Sequence, residues 1–146
     1  MFFYLGFAPD AELHIFRVFT KKQVSYTSWF LDAFNYAIMK RIHVLNLSIG
    51  GPDFKDLPFV EKVWELTANN VIMISAIGND GPLYGTLNNP ADQMDVIGVG
   101  AINYEDQIAR FSSRGTFSLL FFRQITMVMK QFETLSKDFA ESARER

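Results

Sequence analysis

Asn79 occupies the position in the sequence with the clearest potential for chemistry. Its side-chain amide offers two N–H donors and one acceptor oxygen. The apolar run Val71–Ile74 precedes it, and Gly78 and Gly81 flank it in a turn. In open α/β sheets, ligands bind beyond the carboxyl ends of the strands. An amide at this place could serve recognition or catalysis, and an asparagine that merely tolerates a tight turn fits the same pattern at least as well.

A second candidate site ends another apolar run, with the sequence Ser48-Ile49-Gly50-Gly51-Pro52. A strand edge that ends in glycine exposes backbone donors and acceptors and leaves room for the side chains of a partner. An extended peptide could therefore add as a strand along Ser48, Ile49 and Gly50. The alternative is an ordinary exit from a strand into a loop. If the two runs are neighbouring parallel strands, this segment and Asn79 lie at the same edge of the sheet.

Two other kinds of site receive little support from the sequence. Gly98-Val99-Gly100 lacks the third glycine of a dinucleotide-binding motif, because Asn103 stands in its place, and no phosphate-binding loop motif occurs. His14 and His43 fall in different predicted strands without metal-ligand spacing. The chain contains no cysteine. We therefore expect neither a nucleotide nor a metal.

Apolar periodicity predicts the elements that would position the two candidate sites. Apolar residues at i, i+3, i+4, i+7 and i+8 predict a helix over residues 26–41, and Leu57-Pro58 opens a second helix that ends at Asn69-Asn70. Continuous apolar runs predict buried strands. These strands are Glu12–Phe19, His43–Ile49, Val71–Ile77 and Asp95–Ile102. The alternation predicts an α/β fold with a parallel βαβαβ sheet and flanking helices.

The sequence changes in character after Gly115. Residues 116–129 are apolar and lack the turn signals of the preceding part. A spacing of i, i+4, i+7 and i+11 then predicts an amphipathic helix, marked by Val128, Phe132, Leu135 and Phe139. We therefore divide the chain into residues 1–115 and a divergent tail, residues 116–146.

Composition restricts the partners. The chain has 146 residues, of which 49% are hydrophobic and 21% charged, and this is typical of a globular domain. A net charge of −2 gives no electrostatic reason to expect nucleic acid. No apolar stretch reaches the roughly 20 residues that span a bilayer. The apolar start has no basic residues before it, so we predict neither a signal peptide nor a membrane span. The oligomeric state is not indicated.

Several segments resemble, in order, the motifs of one enzyme family. They are Gly6–Leu13, Val44–Pro52, Ser75–Gly81, Asn89–Ala101 and Ala109–Gly115. Together they resemble the subtilisin-like serine proteases (subtilases, peptidase S8). The resemblance covers about residues 6–115 and implies the central part of an incomplete subtilisin-like three-layer domain. It is strongest to a membrane-bound member of the secretory pathway, which implies the endoplasmic reticulum or Golgi.

The resemblance also implies roles for individual residues. Asn79 matches the asparagine that donates to the oxyanion of the tetrahedral intermediate. The strand that pairs with an extended peptide substrate is matched by Ser48, Ile49 and Gly50. The opposite wall of the pocket for the residue before the cleaved bond is matched by Ser75, Ala76, Ile77 and Gly78. Calcium is a family expectation, but no loop here has the carboxylate spacing of a calcium site, so we expect no cofactor.

The departures from the family concern the catalytic triad. The sequence lacks the family's Asp-Ser/Thr-Gly, Gly-x-His and Gly-Thr-Ser-x-Ala motifs. Neither His14 nor His43 matches the position of the catalytic histidine. Gly115-Thr116-Phe117 has phenylalanine where the catalytic serine would be needed. Without a nucleophile and a base, no oxyanion develops. We therefore expect an endopeptidase fragment that is inactive in isolation. The alternatives are a non-catalytic peptide-binding or regulatory fragment and a non-functional truncated splice product.

Overall fold

A parallel sheet forms the centre of the molecule. The computed structural model describes residues 8–52, 55–115 and 127–129. Within these ranges the elements are α1 (Thr27–Met39), β1 (Val44–Leu47), α2 (Leu57–Ala68), β2 (Ile72–Ala76), β3 (Val96–Ala101) and β4 (Met127–Met129). The sheet has four strands in the order β1-β2-β3-β4, and each neighbouring pair is parallel. The predicted α/β class and parallel sheet are confirmed.

The register of the strands aligns their carboxyl ends. Leu47, the last residue of β1, lies opposite Ser75 of β2, and Ser75 lies opposite Gly98 of β3. The segments that follow β1 and β2 therefore leave the sheet side by side at one edge. This is the arrangement that the sequence predicted for the two candidate sites.

Both helices pack against one face of the sheet because their apolar stripes face the same core. Phe34 of α1 and Phe59 of α2 are in contact, with ring centroids 5.5 Å apart. The core consists of buried side chains from both helices and three strands: Phe34, Ala37, Leu47, Phe59, Val63, Leu66, Val71, Met73 and Val96. Helix α2 begins at the Asp56 cap, whose Oδ1 accepts a hydrogen bond of 3.3 Å from Phe59 N. The cap ties the start of α2 to this core.

The opposite face of the sheet is less well covered. Successive side chains of a strand point to opposite faces, so Val44 and Ile72 point away from the core that holds Leu47 and Met73. Val44 and Ile72 are paired across β1 and β2, and their exposures are 50% and 52%. An apolar pair on this face is therefore accessible to solvent.

One predicted strand is wrong, and one predicted helix meets the described residues at a single apolar position. Glu12–Phe19 lies outside the sheet and forms no strand ladder. It lies against α1, where the Phe16 and Tyr36 rings are in contact, and a helix uses its backbone hydrogen bonds internally and cannot pair with a strand. Val128, predicted to begin an amphipathic helix, lies in β4, where it pairs with Gly100. The other apolar positions of that helix, Phe132, Leu135 and Phe139, lie outside the described residues, so a helix over the rest of the tail stays a prediction. Within the described part of the chain, neither helix is long and apolar enough to cross a membrane.

Candidate active site

The segment Ser48–Gly50 continues beyond the paired end of β1. Among the described residues it has no strand partner, and Ser48 is exposed. The next residue is anchored: Gly51 N donates to Asn89 O at 3.1 Å, and Asn89 N donates to Gly51 O at 2.8 Å. The segment is therefore held at both ends, by β1 and by Asn89. Its own backbone forms no ladder with another described strand.

The end of β2 lies beside this segment. Ser75 Oγ is 3.5 Å from Ile49 O, at the outer limit of a hydrogen bond. A Cβ added at Gly50 would lie 3.7 Å from Ala76 O and 2.9 Å from Asn88 Cβ. The structure thus brings the two predicted segments together, and Gly50 permits the close approach because it has no side chain.

The four residues predicted to form the opposite wall of the pocket differ in exposure. Ser75 and Ile77 are buried, whereas Ala76 and Gly78 are partly exposed. The Ile77 backbone is also occupied, because its N–H donates to Val99 O and its carbonyl accepts from Asn88 N, each at 3.0 Å. Ala76 and Gly78 therefore supply the accessible surface on the β2 side of Ser48–Gly50.

Asn79 follows β2 in a turn that only glycine allows at its start. Gly78 has a φ of +108°, and a Cβ there would lie 2.5 Å from Asn88 Nδ2 and 2.7 Å from Ser113 Oγ. Asn79 itself is exposed, and its side-chain amide has no hydrogen-bond partner among residues 8–52 and 55–115. The amide is therefore available to a ligand at the carboxyl end of the sheet.

Two buried serines lie in the loop after β3, and one of them, Ser113, supports this turn; sequence reasoning assigned neither a role. Ser113 N donates to Gly78 O at 3.1 Å, and Asp80 N donates to Ser113 Oγ at 3.1 Å. Ser112 Oγ accepts from Ala101 N of β3 at 3.1 Å. The family-like segment Ala109–Gly115 was the available signal, but it did not show which residues these hydroxyls would contact.

A pocket of about 190 Å³ opens beside Ser48–Gly50. Its walls come from the starts of both helices, the end of β1 and the loop after β2. The lining residues are Thr27, Phe30, Leu47, Ile49, Gly50, Gly51, Asp56, Phe59, Asn89 and Pro90. Asp56 is the one carboxylate among them, and its Oδ2 accepts a hydrogen bond from Thr27 Oγ1. The pocket is mostly apolar and could hold one side chain of a peptide lying along the segment.

The described residues do not fit a metal centre. In residues 8–52 and 55–115, no group of three or more His, Cys, Asp or Glu side chains could hold a metal ion. The titratable group with a shifted pKa is Asp92, in the loop before β3: burial raises the pKa of its carboxyl, and a backbone hydrogen bond lowers it to a smaller extent. Asp92 Oδ1 is buried and has no hydrogen-bond partner among the described residues.

Comparison with known sequences places the chain among the subtilases. The model of the Subtilase family (Peptidase_S8) matches residues 3–129. The human membrane-bound transcription factor site-1 protease is 88% identical over 110 residues, which are 75% of this chain and 10% of that protein. The Arabidopsis thaliana subtilisin-like protease SBT6.1 is 78% identical over 111 residues, covering 76% of this chain and 11% of that protein. The chain thus spans about a tenth of the length of these relatives.

Solved structures agree with this placement. The S41 psychrophilic protease matches 73% of this chain and 37% of its own with a TM-score of 0.66 and 25% identity. Sphericase matches 72% of this chain and 37% of its own, also with a TM-score of 0.66, and its 23% identity supports the fold alone. Because these matches cover little more than a third of either protease, this chain forms part of a subtilisin-like domain. The chain belongs to the subtilase family.

Proposed function

We propose that this chain is the substrate-binding part of a subtilisin-like serine endopeptidase. It would hold an extended peptide along Ser48–Gly50 and present the Asn79 amide to the carbonyl of the bond to be cleaved. One observation carries the proposal. Among the described residues, a strand end without a ladder partner lies beside the end of β2, and the exposed asparagine amide in the turn after β2 has no hydrogen-bond partner.

The peptide would bind by strand addition. Backbone hydrogen bonds to an exposed strand provide affinity that depends little on sequence, and pockets for alternate side chains provide specificity. Ser48, Ile49 and Gly50 supply the backbone groups that bind the peptide. The pocket beside them, which Thr27 and Gly51 help to line, receives one peptide side chain. Ala76 and Gly78 line the other side of the peptide.

Asn79 would act on the charge that develops during acyl transfer. When a nucleophile attacks a peptide carbonyl, the oxygen becomes an oxyanion, and a donor already aimed at that oxygen stabilises the transition state. An asparagine side chain can donate one N–H to it. In an intact subtilase the reaction proceeds through an acyl-enzyme that water hydrolyses.

The isolated 146-residue chain is expected to be inactive because its sequence contains no subtilase nucleophile motif. Incubation with a fluorophosphonate probe, which labels activated serines, tests this expectation. We expect no labelling of the chain under conditions that label active subtilisin completely. Stoichiometric labelling of any serine would contradict the proposal that it serves binding without catalysis.

A non-catalytic peptide-binding or regulatory role is the second candidate. It is favoured by Ser48–Gly50, which has no ladder partner in the part of the chain that the structure describes. Such a chain would compete with an active protease for extended peptides. Titration of a fluorescent peptide that the related protease cleaves measures its affinity for the chain. Saturable binding supports both candidates. An absence of binding, together with an absence of a cooperative thermal transition, would indicate a non-functional product.

The relatives support a proposal about the compartment. Four mammalian proteins named membrane-bound transcription factor site-1 protease match 75% of this chain at 87% identity or more. We therefore place the parent protein in the secretory pathway, in the endoplasmic reticulum or Golgi. Microscopy of the tagged full-length gene product tests this placement. A uniform cytosolic signal would contradict it.

A further inference from the structure

We propose that Ser113 is a positioning residue for the Asn79 amide, fixing the backbone from which that side chain projects. The inference rests on the proposed role of Asn79 as an oxyanion donor and adds a residue distant in sequence to that site. Ser113 lies 33 positions after Asp80, in the loop that follows β3.

The geometry concerns the peptide units on either side of Asn79. The carbonyl of the preceding unit, Gly78 O, accepts from Ser113 N at 3.1 Å. The N–H of the following unit, Asp80 N, donates to Ser113 Oγ at 3.1 Å. Rotation about either backbone torsion of Asn79 turns one of these units, so it must break one of the two hydrogen bonds. A single residue therefore fixes both torsions.

The surroundings of Ser113 make its two hydrogen bonds to the turn rigid. Ser113 is 2% exposed, so water cannot readily replace its hydroxyl. A Cβ at Gly78 would lie 2.7 Å from Ser113 Oγ, so the turn and the hydroxyl are already in close contact. Gly81 N donates to Phe111 O at 2.9 Å, which holds the far end of the turn independently. Loss of the Ser113 hydroxyl should therefore loosen Asn79 without releasing the whole turn.

A terminal carboxylate is a stable stand-in for the oxyanion in a chain that lacks a nucleophile. Its charged oxygen would occupy the place of the developing oxyanion and accept the Asn79 N–H. We therefore compare two peptides of one sequence, one ending in a carboxylate and the other in a carboxamide, for binding to the full chain. The wild-type chain should bind the carboxylate about tenfold more tightly, as expected for one hydrogen bond to a charged group.

Ser113→Ala should abolish this preference while leaving the affinity for the carboxamide peptide unchanged. Ser112→Ala is the matched control, because Ser112 is equally buried and its hydroxyl also accepts from a backbone N–H, that of Ala101. The control should keep the preference. If Ser113→Ala retains the preference, or lowers both affinities equally along with the thermal transition, the role of Ser113 is only structural and the proposal is overturned.

A second measurement separates this inference from the proposed function. Asn79→Ala should also abolish the preference, and a preference that survives that change would refute the oxyanion role itself. Independently of any peptide, Ser113→Ala should speed hydrogen exchange at Asp80 N and lower the NMR order parameter of the Asn79 side-chain amide. Unchanged exchange and order in Ser113→Ala would overturn the positioning role even if no peptide binds.

Discussion

Ser113 hydrogen-bonds both peptide units that meet at Asn79. Its N–H donates to Gly78 O, and its hydroxyl accepts from Asp80 N, each at 3.1 Å. The Asn79 side chain remains exposed and without a partner among the described residues. A donor contributes most to stabilising a transition state when it is oriented before the charge develops. The hydrogen bonds of this turn thus fix the backbone and leave the amide free.

Replacement of Gly78 by alanine should destabilise the fold. The residue has a φ of +108°, and the added Cβ would lie 2.5 Å from Asn88 Nδ2. Backbone strain of this kind costs about 1–3 kcal/mol. Urea denaturation of Gly78→Ala should show a lower midpoint than the wild-type chain. Gly51→Ala is the control, because a Cβ at Gly51 meets nothing within 4 Å, and an equal loss in both variants would refute the explanation.

Replacement of Gly51 by leucine should block the pocket beside Ser48–Gly50. Gly51 lines this pocket of about 190 Å³, and the space around its Cβ position is empty. The new side chain should fill the pocket without straining the backbone. Peptide affinity should fall at least tenfold, which corresponds to about 1.4 kcal/mol, whereas the thermal midpoint should stay the same.

Gly51→Ala again provides the control for this change, since one methyl group leaves most of the pocket open. Fluorescence titration with the same peptide should show a smaller loss of affinity for alanine than for leucine. An unchanged affinity in Gly51→Leu would mean that bound peptides place no side chain in this pocket.

Local patterns were sufficient to predict most of the elements. The apolar stripe that predicted a helix over residues 26–41 matches α1, and the continuous apolar runs match β1, β2 and β3. Asn79 lies after β2 as expected because strand ends and glycine turns are encoded in neighbouring residues. These features depend on periodicity and backbone freedom, which a short window of sequence contains.

Features that depend on distant partners could not be predicted in this way. Glu12–Phe19 has the composition of a strand, but a strand also needs a neighbour, and none is present among the described residues. The hydrogen bonds of Ser113 to the turn and the pairing of Gly51 with Asn89 join residues far apart in sequence. No local pattern marks such contacts, so the support of the site became visible only in the fold.

Asp56 links the two helices, and its replacement by alanine should lower stability. Its Oδ1 caps α2 through Phe59 N, and its Oδ2 accepts from Thr27 Oγ1 at the start of α1. Loss of such a cap costs about 1 kcal/mol. Chemical denaturation should show this loss for Asp56→Ala, whereas Asp56→Asn, which retains an effective cap, should lose less. Equal losses would show that the charge, and not the cap, is responsible.

Replacement of Asp92 by asparagine should stabilise the protein at neutral pH. Burial raises the pKa of this carboxyl above its ordinary value of 3.8, and its buried Oδ1 has no partner in the described part of the chain. The folded state therefore binds the proton more tightly than the unfolded state does, so Asp92 favours folding below pH 3.8 and loses that contribution as the pH rises through the folded pKa. The neutral amide of asparagine avoids the cost of burying the charge.

The advantage of Asp92→Asn should depend on pH in a defined direction. Thermal midpoints of the wild-type chain and of Asp92→Asn should be measured from pH 3 to pH 7 at intervals of about one pH unit. The two midpoints should diverge as the wild-type carboxyl ionises. The variant should be more stable near neutrality and equal to wild type at the acid end. A constant difference for Asp92→Asn across the range would show that the amide, and not the buried charge, causes the change.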